Sequence, residues 1–328
     1  MSTLKSRGIP LLKPMTKTIL FINHKEPRCG IYQAGLGISK ILKKSDKYKL
    51  EYVEVENLDQ FENYFNSINP DAILYNYHPA PMPWVNLDII KRYENLAKSV
   101  VIQHEGFHNP DNTTFQYYIF ANAAMELLPE WNNVFVVGRP LKKYEGDYPT
   151  NSVPVIGSFG FGFLNKRYEL IARTVNSEFD TAIINLQIPY AKYGDNDGIA
   201  ARQSVELCQR EITKPGIELK VSHTFLSEQD LLKFLASNNI NVFLYDDMPG
   251  RGSASTIDWA LSVKRPIAVS KTYMFKHLVT EPSIYIEDNS LKTILDNGTK
   301  PLEKFYKMWS ERENIKHYDR IFDRIFSQ

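Results

Sequence analysis

Short apolar runs alternate with amphipathic stretches of helical length through the first hundred residues. The apolar runs have the length of buried strands, and the stretches between them repeat their apolar positions with a helical period. The predicted strands are 18–22, 49–54, 72–77 and 99–103, and the predicted helices are 32–44, 58–66 and 87–97. Strands that alternate with helices of this length predict a parallel, doubly wound sheet.

The pattern is less regular between residues 104 and 154. We predict a helix over 115–124 and a short strand over 134–137. Residues 138–154 are polar and carry several charges, two glycines and three prolines, which is typical of a linker between domains.

A second alternation fills the rest of the chain. The predicted strands are 155–160, 181–186, 217–222, 242–245, 266–270 and 284–286, and the predicted helices are 166–175, 199–211, 228–237, 273–277, 291–297 and 302–325. The expected fold class is α/β, with two doubly wound Rossmann-like domains that face each other across a cleft at the carboxyl ends of their strands. The expected divisions are a disordered lead-in at 1–16, domains at 17–150 and 151–310, and a C-terminal helix at 311–328 that packs back toward the first domain.

Composition and charge argue against several classes of protein. The 328 residues are 43% hydrophobic, enough for two cores, and the net charge of +1 gives no reason to expect a nucleic-acid partner. Cys29 and Cys208 are too few for a disulfide framework, and no apolar run is long enough for a transmembrane helix. We therefore expect a cytoplasmic protein without an integral membrane segment. Because no G-x-G-x-x-G follows the first strand, a nicotinamide dehydrogenase is not expected.

Residues 239–270 form the stretch around which the candidate chemistry is arranged. A buried strand runs into a loop with two glycines, and a helix and a further strand follow. Backbone N–H groups in the first turn of such a helix attract anions, and an arginine in the loop can add a bidentate phosphate contact. The residues placed to hold a phosphate are Arg251, Gly252, Ser253, Ser255 and Thr256. The same pattern also fits an ordinary strand-to-helix turn with a good N-cap.

Motifs in both halves of the chain resemble, in order and spacing, those of GT-B glycosyltransferases of the retaining group 1 type. Residues 157–167, Gly-Ser-Phe-Gly-Phe-Gly-Phe-Leu-Asn-Lys-Arg, are similar to the glycine-rich turn and the lysine that holds the donor diphosphate. Residues 222–231 resemble the segment that lines the nucleobase pocket, and 250–270 resemble the donor-binding loop, helix and following strand. In the first half, 29–32 resemble the first glycine turn and 103–106 the strand-end histidine motif.

The resemblance implies a role for each matched residue. By that resemblance the donor diphosphate is bound by Gly160, Lys166, Arg251, Gly252, Ser253, Ser255 and Thr256, the ribose by Asp258, the nucleobase by His223, Thr224 and Phe225, and the acceptor by Gly30, Tyr32 and His78. His104 and Glu105 are the candidate catalytic residues, as a general base or in contact with the sugar. A hydrogen-bonded structural histidine at 104, a solvated lysine at 166 and a surface acid at 258 remain the alternatives.

One departure from the family pattern concerns the acids of the donor loop. Retaining members carry Glu-x7-Glu across this loop. Here Asp258 matches the second acid, but Gly250 stands at the first position. Asp246 or Asp247 could replace the missing acid.

A second departure concerns the cations that bind the diphosphate. Phe161 stands where the family often has an arginine, and Arg251 or Arg167 could supply the charge. A lysine, an arginine and a helix N-terminus can stabilise a leaving diphosphate without a metal, so we expect no metal cofactor. The acids of 195–197, Asp-Asn-Asp, lie in a polar turn and are interpreted as a turn signal rather than a metal site.

The sequence therefore predicts an enzyme that moves a sugar from a nucleoside diphosphate sugar to a glycan or other hydroxyl acceptor, without a metal and with retention. The missing first acid leaves open a catalytically silent GT-B-like protein that binds a nucleotide or glycan. A nucleotide-sugar epimerase is a further alternative, disfavoured because the cleft offers few carboxylates for its acid–base steps.

Overall fold

Two parallel β-sheets with helices on their faces make up the structure, a computed structural model that describes residues 16–104, 114–121, 123, 125–249 and 252–328. The predicted lead-in lies outside the described residues except for Thr16. The two sheets confirm the predicted α/β class with two Rossmann-like units.

The first half of the chain forms a sheet of six strands. Its elements are β1 (Thr18–Asn23), α1 (Gly30–Leu42), β2 (Lys49–Glu54), α2 (Leu58–Ile68), β3 (Ala72–Asn76), α3 (Leu87–Tyr93), β4 (Lys98–Gln103), β5 (Tyr117–Phe120) and β6 (Val134–Val136). The strand order is β2-β1-β3-β4-β5-β6, and every pair is parallel. The order reverses between β1 and β3, and doubly wound sheets bind ligands outside the carboxyl ends of strands at such a reversal.

The second half forms a sheet of five parallel strands in the order β11-β10-β7-β8-β9, which reverses between β7 and β10. Its elements are β7 (Val155–Phe159), α4 (Tyr168–Glu178), β8 (Ala182–Gln187), α5 (Ile199–Glu211), β9 (Ile217–Ser222), α6 (Glu228–Ser237), β10 (Ile240–Phe243), α7 (Thr256–Ser262), β11 (Ile267–Val269), α8 (Leu291–Asp296), α9 (Glu303–Met308) and α10 (Glu311–Ser327). Short 3₁₀ turns lie at Leu164–Lys166, Tyr273–Phe275 and Lys300–Leu302.

The last helix returns to the first sheet. One face of α10 is buried in a cluster with residues of β1, α1 and β5. The buried residues of this face include Tyr318, Ile321, Phe322 and Ile325. Packing on the first sheet removes this apolar face from water, so α10 attaches the C-terminal segment to the first domain.

The predicted helix over 115–124 is wrong. Residues Tyr117–Phe120 form β5, which pairs with β4 on one side and β6 on the other. All four side chains are buried, so this run of apolar and aromatic residues fits an interior strand with both faces covered. A short apolar run does not distinguish a buried strand from a buried helix, which explains the error.

Three smaller predictions also differ from the structure. The strand predicted at 284–286 is only an isolated bridge between Tyr285 and Val269, and the helix predicted at 273–277 is a 3₁₀ turn. The long helix predicted over 302–325 is divided into α9 and α10 around Trp309 and Ser310. Ser310 caps α10 by accepting a hydrogen bond from the Glu313 N–H at 3.4 Å, a local contact that competes with a continuous helix.

Glycines allow α1 to lie close to its neighbours. A β-carbon on Gly35 would lie 2.2 Å from the Asn76 amide nitrogen, and one on Gly37 would lie 2.6 Å from the Lys142 ammonium nitrogen. Gly30 has open space around it, so its missing side chain is not required for packing. The close approach at Gly35 lets the end of β3 sit beneath α1, next to the cleft described below.

Candidate functional site

A cleft with two adjoining chambers opens between the sheets, lined by the loops that follow the strands. The wide chamber has a volume of about 560 Å³. The narrow chamber has about 420 Å³. Both are lined by Cys29 and Gly30 from the first half and by Phe161, Lys166 and Ser255 from the second. These five residues mark the boundary between the chambers.

The glycine-rich turn after β7 carries Lys166 to this boundary. Gly160 lines the narrow chamber with φ of +142°, a value that strongly favours glycine, and its carbonyl accepts a 2.8 Å hydrogen bond from the Tyr168 hydroxyl. The Lys166 ammonium nitrogen lies 3.8 Å from the centre of the Tyr245 ring, a cation–π contact that holds the charge between the chambers. Both residues therefore line the cleft, and their contact with a diphosphate stays a prediction.

The loop before α7 and the first residue of α7 supply a further part of the lining. Gly252 and Ser253 line the wide chamber, Thr256 lines the narrow one, and Ser255 lines both. Ser255 occupies the N-cap position of α7, but its side chain makes no capping hydrogen bond to a described residue. The Thr256 hydroxyl lies 3.2 Å from the Tyr245 hydroxyl, so this helix start is tied to the end of β10.

Glu105, Gly250 and Arg251 lie outside the described residues. The catalytic role of Glu105 and the diphosphate contact of Arg251 therefore stay predictions from sequence.

The side chains considered as replacements for missing groups are engaged elsewhere. Arg167 forms ion pairs with Glu169 and, at 2.6 Å, with Asp246. Asp247 accepts a hydrogen bond from the Tyr273 N–H at 2.7 Å. None of these side chains is among the residues that line the two chambers. The described residues thus supply neither the missing first acid nor a second cation from these positions.

The segment predicted to bind the nucleobase lies at the narrow chamber. Phe225 lines it, and the Thr224 carbonyl accepts a hydrogen bond from the side-chain amide of Gln187, which lines it as well. His223 is not among the lining residues: its Nδ1 donates to the Ile188 carbonyl at 2.7 Å. The histidine therefore supports the loop, while an aromatic ring and an amide face the chamber.

The first-half residues predicted for the acceptor side divide in a similar way. Gly30 lines both chambers and His78 lines the wide one, where its ring lies 5.6 Å from that of Tyr193 across the cleft. Tyr32 does not line either chamber, and its hydroxyl donates to Glu54 at 2.7 Å. Burial, followed by the nearby Glu54, raises the pKa of Tyr32 to about 12. Tyr32 thus acts as a hydrogen-bond donor inside the first domain.

His104 lies at the end of β4 and lines the wide chamber. The Asn76 amide nitrogen donates to Asn23 and to the Ile31 carbonyl, so its oxygen accepts, at 2.6 Å, from the His104 Nε2. The proton on Nε2 leaves a lone pair on Nδ1, which has no hydrogen-bond partner among the described residues. Burial, with the positive charge of Arg139, lowers the pKa of His104 well below its usual value. The imidazole is therefore neutral at pH 7 and presents an acceptor.

Asp258, predicted to hold the ribose, forms a buried ion pair instead of lining either chamber. Its Oδ2 lies 3.4 Å from a guanidinium nitrogen of Arg139, and the two side chains are 13% and 8% exposed. Burial raises the pKa of Asp258 to about 6, although Arg139 and Lys142 both favour its ionised form. Arg139 itself lines the wide chamber, and its Nε has no partner among the described residues.

Glu228 is the only carboxylate among the described residues that line the two chambers. It begins α6 and borders the narrow chamber beside Trp259. Sequence reasoning missed Glu228, Trp259, Gln187 and Arg139. Glu228 lies within residues 222–231 and Trp259 within residues 250–270, two segments that carry the family resemblance, but the resemblance assigned no role to either side chain.

The acids of 195–197 lie in a turn, as predicted. The Asp195 carboxylate accepts hydrogen bonds from the N–H groups of Ala200 and Ala201, at 2.9 and 3.0 Å, and so caps the start of α5. Within the described part of the chain, no group of three or more histidine, cysteine, aspartate or glutamate side chains is arranged to hold a metal.

Stability should fall between pH 6.5 and pH 4 because of His24, which lies at the end of β1 and is 1% exposed. Burial, with the neighbouring His78, lowers the pKa of His24 from 6.5 to about 4. The unfolded chain therefore takes up this proton first as the pH falls, and the folded state loses roughly 3 kcal/mol from this group across the window.

Urea unfolding at pH 7 and pH 4.5 measures this effect. The wild type should lose more stability on acidification than His24→Asn, whose amide oxygen can accept the 3.1 Å hydrogen bond from the Glu26 N–H that Nδ1 accepts now. An equal loss in both proteins would contradict the assignment to His24.

Comparison with solved structures identifies the fold. No protein-family model matches the sequence, and no match was found among curated proteins. Anabaena HepE in complex with UDP-glucose is 14% identical, with a TM-score of 0.58 over 95% of this chain and 100% of that chain. An α-glucosyltransferase in complex with UDP is 10% identical, with a TM-score of 0.58 over 94% and 96%.

A glycosyltransferase from Rickettsia africae is also 10% identical, with a TM-score of 0.59 over 95% of this chain and 94% of that chain. In the described part of the chain, no helix is both long and apolar enough to cross a bilayer. All three neighbours share the arrangement of two Rossmann-like units around a cleft. The chain therefore has the GT-B fold of glycosyltransferases.

Proposed function

We propose that this protein transfers a sugar from a nucleoside diphosphate sugar to a glycan or other hydroxyl acceptor. The observation that carries the proposal is the position of Lys166 at the boundary of two chambers of different character. Two of the structural neighbours were determined with UDP-glucose or UDP. On this basis UDP is the first nucleotide to test.

The chambers suit the two parts of such a donor. The narrow chamber offers the Phe225 ring and the Gln187 amide, a combination that favours stacking and hydrogen bonding to a nucleobase. The diphosphate would lie at the boundary, against Lys166 and the loop with Ser253 and Ser255. The wide chamber would hold the transferred sugar and the acceptor hydroxyl.

Metal-independent transfer is supported by the charges around the wide chamber. The charged side chains among its described lining are all cationic: Arg28, Arg139, Lys166 and Lys192. As the diphosphate leaves, negative charge develops on its oxygen, and cations that line the cleft stabilise that charge. No carboxylate of the described lining is placed to bind a divalent cation in this chamber.

A retaining outcome is supported by the weakness of His104 as a base. An inverting transfer needs a general base beside the acceptor hydroxyl, and among the described residues of the wide chamber only His104 and His78 are candidates. Because its pKa is strongly lowered, His104 is better suited to accept a hydrogen bond on Nδ1 from a sugar hydroxyl than to remove a proton.

The test is a thermal-shift titration with UDP, GDP, ADP and CDP, each with EDTA and with magnesium. We expect one diphosphate, UDP first, to raise the melting temperature in EDTA, since a ligand that binds only the folded state stabilises it. If none of the four shifts the melting temperature, the proposed function is wrong.

A catalytically silent nucleotide-binding protein is the second candidate. It is favoured by the wide chamber, whose described lining contains no carboxylate. Mass spectrometry of reactions with UDP-sugars and mixed acceptors separates the two functions. Tight UDP binding with neither transfer nor donor hydrolysis would establish the silent protein.

A further inference from the structure

We propose that Glu228, and not Asp258, binds the ribose hydroxyls of the nucleotide. The inference rests on the proposed function, because it assigns a role within the same donor site. It also defines the donor more closely: the nucleotide must be a ribonucleotide with both hydroxyls of its ribose free.

The position of Glu228 is the first support. Its side chain is 29% exposed and borders the narrow chamber, together with Ser255, Thr256 and Trp259 of α7 and the loop before it. Phe225 lies on the same segment, three residues earlier in the chain. A nucleobase stacked on Phe225 and a diphosphate at Lys166 would leave the ribose between them, on the side where Glu228 stands.

Two lysines that are not among the described lining of the narrow chamber hold the carboxylate in place. One oxygen lies 3.3 Å from the ammonium of Lys142 and the other 3.7 Å from that of Lys40 on α1. Lys142 is itself fixed, since its side chain is only 13% exposed and its ammonium lies 4.9 Å from the centre of the Trp259 ring. Each carboxylate oxygen has two lone-pair sites, so the lysines leave acceptor positions open toward the chamber.

Asp258 lacks this access. Its carboxylate pairs with Arg139, and the residue lines a small neighbouring cavity of about 20 Å³ rather than either chamber. To reach a ribose in the narrow chamber it would have to leave a buried guanidinium without its partner, which is costly.

The chemistry of the ribose fits a single carboxylate. Its two adjacent hydroxyls are donors on one edge of the ring, and an ionised carboxylate is an acceptor with two oxygens. Removing one hydroxyl deletes a hydrogen bond to a charged group, which corresponds to a loss of affinity of about tenfold or more.

Calorimetric titration with UDP, 2′-deoxy-UDP and 3′-deoxy-UDP tests the assignment. The wild type should prefer UDP over each deoxy compound by about tenfold or more. In Glu228→Gln the preference should fall below about threefold, because the neutral amide oxygen is a weaker acceptor. Glu228→Asp, which keeps the charge opposite Lys142 but withdraws it by one methylene, is the second variant if the first does not fold, and it should also lose most of the preference.

Two controls make the result specific. Glu218→Gln changes an exposed glutamate on β9, and Asp258→Asn changes the rival carboxylate; both should keep the wild-type preference. The proposal is overturned if the wild type does not distinguish UDP from the deoxy compounds, if both Glu228 variants keep the preference, or if Asp258→Asn loses it. If the wild type binds none of UDP, GDP, ADP and CDP in the thermal-shift titration, the proposed function is wrong, and this inference is wrong with it.

Discussion

Sugar transfer should fall about a hundred- to a thousandfold when Lys166 is replaced by alanine. Lys166 lies at the boundary of the two chambers, where the proposed donor would be divided into a leaving diphosphate and a transferred sugar. A cation in this place stabilises charge that grows as the bond breaks, so the loss should fall mainly on kcat rather than on the KM for the donor.

The measurement is the steady-state rate with the donor and acceptor that the wild type uses. Lys166→Arg should recover part of the rate because it keeps the charge, although the guanidinium has a different shape. Lys233→Ala, at an exposed position on α6, is the matched control and should behave as the wild type. A Lys166→Ala rate within about threefold of the wild-type rate would contradict the assigned role.

Unfolding free energy should fall by about 3 to 5 kcal/mol when Asp258 alone is replaced by leucine. The substitution leaves the Arg139 guanidinium, which is 8% exposed, with no carboxylate partner among the described residues. Replacing Arg139 alone by methionine should be costly for the same reason, because it leaves Asp258 buried. In that variant the pKa of Asp258 should rise further, since Arg139 now favours the ionised form.

A double-mutant cycle separates the coupling free energy of the ion pair from the packing contributions of the two side chains. The double variant, Arg139→Met with Asp258→Leu, should be more stable than either single variant, because no buried charge is left unpaired. Urea unfolding at pH 7 gives the four free energies. If the effects of the single substitutions simply add, the two side chains are not coupled, and Asp258 would need another role.

The architecture was predictable because it depends on local patterns. Apolar runs of strand length alternate with helical stretches, and this alternation requires a parallel sheet whichever residues line the cleft. The parts of the candidate site that belong to a turn or to the start of a helix were also predictable. Gly160 and Lys166 belong to one turn after β7, and Ser255 and Thr256 to the start of the next helix, so their places follow from the order of the elements.

Other parts of the site were not predictable because they depend on contacts between distant segments. Asp258 matches the second acid of the family's donor loop in the sequence, yet its side chain forms an ion pair with Arg139, 119 residues earlier in the chain. Glu228 lies in the segment 222–231, but the family resemblance gives it no role. The chamber that it borders and its two lysine partners, Lys40 and Lys142, identify it. The short apolar run at Tyr117–Phe120 fits a buried helix as well as a buried strand, and only the pairing with β4 and β6 makes it a strand.

The pattern of residues along the chain is therefore sufficient to predict the α/β class, the two Rossmann-like units and the loops that carry candidate chemistry, since periodicity and turn residues act over a few neighbouring positions. Which side chains face the cleft depends on contacts that form only in the folded molecule. A helix residue can turn toward a ligand chamber or toward a buried partner, and that choice depends on charges and free volume supplied by the other half of the chain. Asp258 and Glu228 show both outcomes: the first is held by a buried arginine, and the second is left at the chamber wall.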